Sequence, residues 1–314
     1  MRLPRSSSAW HRVGVVASLL ILAAAMAVLF HVLRDIDFAR TLDAIASTAA
    51  VAIVGSAAFV ALGYVTLTFY DYFSLQTIGR RDVPYRVAAM ASFVSYSIGH
   101  NLGATVFTAG AVRWRIYSRW NLTVVDIAKI AFVTGLTFWL GNVVVLGTAM
   151  IVEPEAASAV DQLPPIVNQC LGVVALAVVG CYLLWLLPRP RVIGRGSWKV
   201  ILPNARLTLV QIGIGVLDLT AGSLAFFMLL PSEPSVDFIT VMVVFVTAML
   251  LGFVSHTPGG LGVFDAAILV ALPQFPKEEL LASLLIFRLL YFVLPLLMAV
   301  SILALREAWH ARSS

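Results

Sequence analysis

Long apolar runs recur along this chain, and two of them are interrupted where a membrane helix would have to continue. Stretches of about 20 apolar residues span a bilayer as helices. Full spans are expected near 13–33, 48–70, 124–152, 166–187, 206–230 and 279–305. Two further stretches, 87–112 and 237–273, contain breaks: Gly99-His100-Asn101-Leu102-Gly103 and Ser255-His256-Thr257-Pro258-Gly259-Gly260-Leu261-Gly262. Gly and Pro break helices, and irregular backbone at membrane depth is tolerated only where protein buries it or it lines a cavity. Each broken stretch is therefore read as a re-entrant hairpin that enters and leaves on one side.

Composition excludes a soluble protein. Of 314 residues, 61% are hydrophobic and 12% charged, far from the usual balance of a soluble domain. No loop approaches the roughly 50 residues of a small domain, so residues 1–314 read as one polytopic membrane domain. Cys170 and Cys181 sit about 16 Å apart along one expected helix, too far for a disulfide. The basic start Met1–Arg12 is followed by an apolar run longer than the 7–15 residues of a signal-peptide core, so it reads as an uncleaved first span, with a signal peptide as the alternative.

Charge fixes the expected orientation. With the N-terminus inside, sixteen of the 21 Lys and Arg, including Arg80, Arg81, Arg113, Arg115, Arg119, Arg191 and Arg306, fall on the cytoplasmic side. Only Arg34, Arg40 and Lys277 fall outside, and the asymmetry of Lys and Arg is what sets topology. Both termini are then cytoplasmic. The order becomes span, span, hairpin, span, repeated with opposite orientation: an all-α membrane protein of six full spans and two re-entrant hairpins in two inverted halves, about 13–152 and 166–305. Interrupted helices at matching places in inverted repeats point to a midplane binding site. The segment 35–45 carries an apolar stripe and is expected to lie on the outer surface.

The returning arm of each hairpin starts at its break, so its helix N-terminus would present free N–H groups and a positive dipole end to an anion. Gly103, Gly259, Gly260 and Gly262 would let backbone approach a ligand; close helix packing explains them equally well. Arg288 lies in the last span and must face a partner or water. Asp218 is its first expected partner and Asp265 the second. The pairs are either structural, or Arg288 holds an anionic headgroup while an aspartate meets an amine or proton. His100 and His256 at the tips read as proton relays or as plugs for freed carbonyls, and Asn101 and Asn142 likewise. Asp126 and Lys129 suit a local ion pair. Arg113, Arg115 and Arg119, with Trp114, Tyr117 and Trp120, would gather anionic lipid at the inner leaflet or simply satisfy the charge rule. No nucleotide-binding, metal-binding or hydrolase motif occurs, and nothing points to a cofactor, a metal or nucleic acid.

Pro258-Gly259-Gly260-Leu261-Gly262-Val263-Phe264-Asp265 resembles the Pro-Gly-Gly-Leu-Gly-acidic signature of the flippase-like membrane domain of lysylphosphatidylglycerol synthases. Phe287-Arg288-Leu289-Leu290-Tyr291 with Pro295 is similar to that family's final span, and Asn101-Leu102-Gly103 with Gly110 and Arg113 to its first break. Asp265 stands where a Glu is expected. The resemblance implies translocation of phospholipid or a related lipid between leaflets; with the residues read above, the expectation is a bacterial inner-membrane transporter whose headgroup contacts are Arg288, Asp218, Asp265, Arg113, Tyr291 and the two breaks. It also implies a stand-alone member without the aminoacyl-transfer domain, hence no enzyme. The other readings are a scaffold that recruits a lipid-synthesising enzyme and, without motif support, an intramembrane enzyme using His100, His256 and Asp265.

Overall fold

The computed structural model describes residues 30, 34, 36–103, 105–187, 191–194, 196 and 198–311. Apart from Phe30, the expected span 13–33 lies outside these residues. The helices are α1 (Phe38–Ser47), α2 (Ala50–Thr77), α3 (Tyr85–Leu102), α4 (Thr105–Tyr117), α5 (Val124–Val152), α6 (Pro154–Asp161), α7 (Pro165–Leu186), α8 (Ala205–Phe227), α9 (Phe238–Ser255), α10 (Val263–Ala271), α11 (Lys277–Arg288) and α12 (Leu294–Ala311). One short antiparallel ribbon pairs Val192–Ile193 with Val200–Ile201.

Among the described residues, six helical segments are long and apolar enough to cross a membrane: α2, α5, α7, α8, α9 and the continuous run Lys277–Arg306. This is the pattern of a multi-pass membrane protein. The expected spans at 124–152, 166–187, 206–230 and 279–305 coincide with these helices within a few residues. The span expected to stop at 70 runs on to Thr77, because Asp71, which looks like a terminating charge in the sequence, is paired inside the protein. The helix α9 was expected as one arm of a hairpin, yet its 18 residues have the length and composition of a full span.

Local chemistry sets the helix ends. Asp37, Asn204 and Asp237 accept backbone N–H bonds as N-caps, and Pro154 and Pro165 occupy first turns, where no N–H is needed. Thr123 and Asp126 form a reciprocal capping box, so Asp126 serves the helix start instead of the expected pair with Lys129. Helices approach closely where side chains are absent: a Cβ on Gly141 would lie 2.8 Å from the Gly215 carbonyl carbon, which brings α5 against α8.

The last span is not regular. Pro295 lacks the N–H that Tyr291 would accept in a helix, and residues Leu289–Val293 relax into a π turn. The freed carbonyls are satisfied from other helices: Tyr64 O–H donates to Tyr291 O at 3.0 Å, and Asn101 Nδ2 to Phe292 O at 3.0 Å. An aromatic ladder of Phe226, Phe245, Phe264, Phe287 and Tyr291 fills the centre of the bundle. In the segment expected at the surface, helix α1 packs on α11, burying Thr41 and leaving Phe38 and Leu42 exposed. Cys170 and Cys181 are free and exposed.

Candidate functional site

The two breaks meet. Gly103 ends α3 at φ 71°, ψ −177°, a conformation open only to glycine, and a Cβ there would lie 2.7 Å from the His256 carbonyl oxygen. His256 itself ends α9 in the left-handed region, and Pro258–Gly260 form a short 3-10 turn before α10. Helices α3 and α4 lie together as one helical pair, as do α9 and α10.

Arg288 anchors the second break. Its Nε and Nη2 donate to Asp265 Oδ1 and Oδ2 at 2.8 and 2.7 Å, and Nη1 donates to Gly259 O at 3.0 Å. Phe264 and Phe292 lie 5.8 and 5.5 Å from the guanidinium carbon. Asp265 Oδ2 also accepts the Gly262 N–H at 3.0 Å, closing the first turn of α10. The positive end of α10, expected to be free for an anion, is therefore already met by this carboxylate. The partner of Arg288 is Asp265, one turn into α10, and not Asp218.

A second buried pair was missed. Arg113 donates from Nε and Nη2 to Asp71 on α2, the shortest contact being 2.7 Å, and Tyr117 O–H donates to the same carboxylate at 2.9 Å. Arg113 and Asp71 are 3% and 0% exposed, so Arg113 is no surface lipid-gathering group. Its Nη1 stays outside the pair, and its guanidinium lies 4.9 Å from the Tyr96 ring centre. Tyr117 turns inward with it. An acidic residue late in an apolar run and an arginine after the first break were the only signals in the sequence.

A cavity of about 340 Å³ lies against the meeting point of the breaks. His100, Gly103, His256, Gly259, Gly260, Arg113, Asp218 and Tyr291 are on its wall. Arg288, Asp265, Asn101 and Gly262 are not: Arg288, Asp265 and Gly262 hold the second break together, and Asn101 holds α3 to the π turn. Tyr70, Tyr96, Thr134, Phe107 and Trp139 complete the lining without having been singled out in the sequence. The ring of His100 stacks near-parallel on Tyr291, and its Nδ1 has no hydrogen-bond partner among the described residues. His256 Nδ1 lies 2.9 Å from Phe253 O. Among the described residues, Asp218, 7% exposed, has the Thr66 and Tyr70 hydroxyls as its hydrogen-bond partners, at 3.3 Å each. Exposed Val106, Phe107, Trp139 and Phe253 flank the cavity on its outer side.

Comparison with known proteins places the chain among membrane proteins. It is 29% identical to an uncharacterized protein of Synechocystis over 78% of this chain and 76% of that protein. It is 26% identical to the inner membrane protein YbhN of Escherichia coli over 97% and 95% of the two chains. It is 25% identical to the phosphatidylglycerol lysyltransferase of Staphylococcus haemolyticus, matching 88% of this chain but 32% of that enzyme. No family model matches.

Proposed function

We propose that this chain, a relative of YbhN and of the phosphatidylglycerol lysyltransferases, moves a phospholipid between the leaflets of a bacterial inner membrane. The observation that carries the reading is the contact of the two breaks beside a cavity walled by Arg113 and Asp218 and flanked by exposed aromatic side chains. Its 340 Å³ lies within the range of small-ligand sites. Of the lining residues, Arg113 and Asp218 are buried while Val106, Phe107, Trp139 and Phe253 are exposed, which suits a headgroup inside and acyl chains left in the bilayer.

In this reading the pairs α3–α4 and α9–α10 are re-entrant hairpins from opposite sides, the two halves are inverted copies, and both termini are cytoplasmic. The phosphate sits toward Arg113, whose Nη1 is not used by Asp71. Arg288 acts at one remove, by fixing Gly259 on the cavity wall. Rocking of the paired breaks against α5 exposes the cavity to one leaflet and then the other. No enzymatic step is assigned, because the membrane part of the lysyltransferase resemblance implies lipid movement and not aminoacyl transfer.

The test is reconstitution of the whole chain into vesicles containing fluorescent phosphatidylglycerol, with dithionite quenching of the outer leaflet. Transport predicts loss of the protected inner-leaflet signal within minutes. A protected signal that persists as in protein-free vesicles, across phosphatidylglycerol, phosphatidylethanolamine and cardiolipin probes, sinks the reading.

A further inference from the structure

Among the described residues, three carboxylates are buried among the membrane helices: Asp71, Asp218 and Asp265. Asp71 and Asp265 each hold a bidentate arginine. Asp218 has none, and no Lys, Arg or His among the described residues pairs with it. An isolated carboxylate in an apolar interior is far more stable as the neutral acid. Among the described residues its hydrogen-bond donors are the Thr66 and Tyr70 hydroxyls, each at 3.3 Å, and the one Thr66 hydrogen is shared with Gly63 O at 2.6 Å, so the carboxyl has no strong donor to hold it as an anion.

We propose that Asp218 is a proton-carrying site on the cavity wall and that lipid movement is coupled to a proton gradient through it. This rests on the transport reading above and names its energy source. Asp218 takes up one H⁺ from the side to which the cavity opens and becomes a neutral acid. It releases the same H⁺ as a carboxylate when the cavity opens to the other side. An anionic headgroup moving with that proton carries no net charge across the apolar centre.

The groups facing Asp218 permit this cycle. From α2 come Tyr64, Thr66 and Tyr70; from α3, Tyr96 and His100; from the π turn, Tyr291. The Tyr96 ring packs against the rings of both Tyr70 and His100, whose Nδ1 has no hydrogen-bond partner among the described residues. Arg113 on α4 is committed to Asp71, and Arg288 at the end of α11 to Asp265. The cavity-lining residues of α5, Thr134 among them, carry no ionisable group; His256, at the end of α9, is on the wall, and Tyr182 on α7 is not among the lining residues. A metal cation is the poorer guest: it takes several oxygen ligands, and among the described residues no three His, Cys, Asp or Glu come together.

The experiment uses vesicles containing the full chain and fluorescent phosphatidylglycerol, with a pH difference of one unit imposed across the membrane. One proton per lipid predicts a leaflet ratio of up to about tenfold, since one pH unit is about 1.36 kcal/mol. Asp218→Asn should bring the ratio to one, and Asp218→Glu should restore part of it. A ratio of one in the wild type, a ratio that follows a sodium gradient instead, or a full ratio in Asp218→Asn overturns the proposal. Infrared difference spectra in detergent separate this from the transport reading. A protonated carboxyl stretch at pH 7 that vanishes in Asp218→Asn supports the proton site even where no lipid moves; identical spectra for the two proteins refute it.

Discussion

Arg113 and Asp71, forty-two positions apart on α4 and α2, form a bidentate ion pair with a 2.7 Å contact and almost no solvent exposure. The pair ties the first broken helical pair to the long helix α2 and holds Arg113 at the cavity wall. Arg288 and Asp265 do the same for the second break. Each break thus has its own charged clasp, and among the described residues Asp218 is the buried carboxylate without one.

Removing one member of the first clasp strands the other in a dry interior. Asp71→Ala is expected to cost about 3–5 kcal/mol, and Asp71→Leu combined with Arg113→Met to recover most of that loss. Denaturation in mild detergent, followed by helical circular dichroism, gives the three values. A single variant as stable as the parent would contradict the buried pair.

For Arg288 the expected change is in stability before it is in lipid contact, because its three donors go to Asp265 and Gly259. Arg288→Ala should lower stability by about 3–5 kcal/mol. Arg288→Lys, with no fork to grip both oxygens, should fall between the two. Melting curves of the purified variants would contradict the assignment if Arg288→Ala were neutral.

Gly103→Ala combines an unfavourable backbone conformation with a Cβ 2.7 Å from a carbonyl oxygen. It should cost about 1–3 kcal/mol and reduce lipid exchange at least tenfold by parting the two breaks. Gly110→Ala and Gly135→Ala, which meet nothing within 4 Å, should be neutral or slightly stabilising. Equal effects at all three glycines would count against the contact.

Phe107 and Trp139 are 79% and 47% exposed beside the cavity. Phe107→Glu should leave the fold intact and slow exchange of fluorescent phosphatidylglycerol about tenfold or more by charging the lipid entry. Unchanged exchange in a variant with parental melting would move the entry elsewhere.

Outside the membrane helices, Asp82 accepts two bonds from Arg80, whose Nη2 also reaches Trp120 O. The Arg80 guanidinium holds the Asp82 carboxyl below its ordinary value. A depressed carboxyl contributes stability above the unfolded value, and that contribution is lost as pH falls through the folded one. Asp82→Asn should therefore be slightly less stable than the parent above about pH 5, with a flatter acid limb along which the difference disappears as pH falls. A difference that appeared only at alkaline pH would reverse the sign and exclude this cause.

The apolar runs, their lengths and the two glycine-rich breaks were legible in the sequence because span length follows from bilayer thickness and helix breaking from backbone sterics. Helices α5, α7 and α8 were legible for that reason. Partner choice was not. Asp71, hidden at the end of a run, pairs with Arg113; Asp218, the evident mate for Arg288, has no cation beside it among the described residues. An ion pair is decided at distances under about 4 Å between side chains from different helices. The rotation of each helix sets those distances, and the rotation follows from packing such as Gly141 on Gly215 and the aromatic ladder. The sequence by itself determined where the apolar runs break and that Arg288, Asp218 and Asp265 lie within them; the tertiary structure alone decided that Asp71 and Arg113 are buried too, which charges are paired and which carboxyl is left facing the cavity.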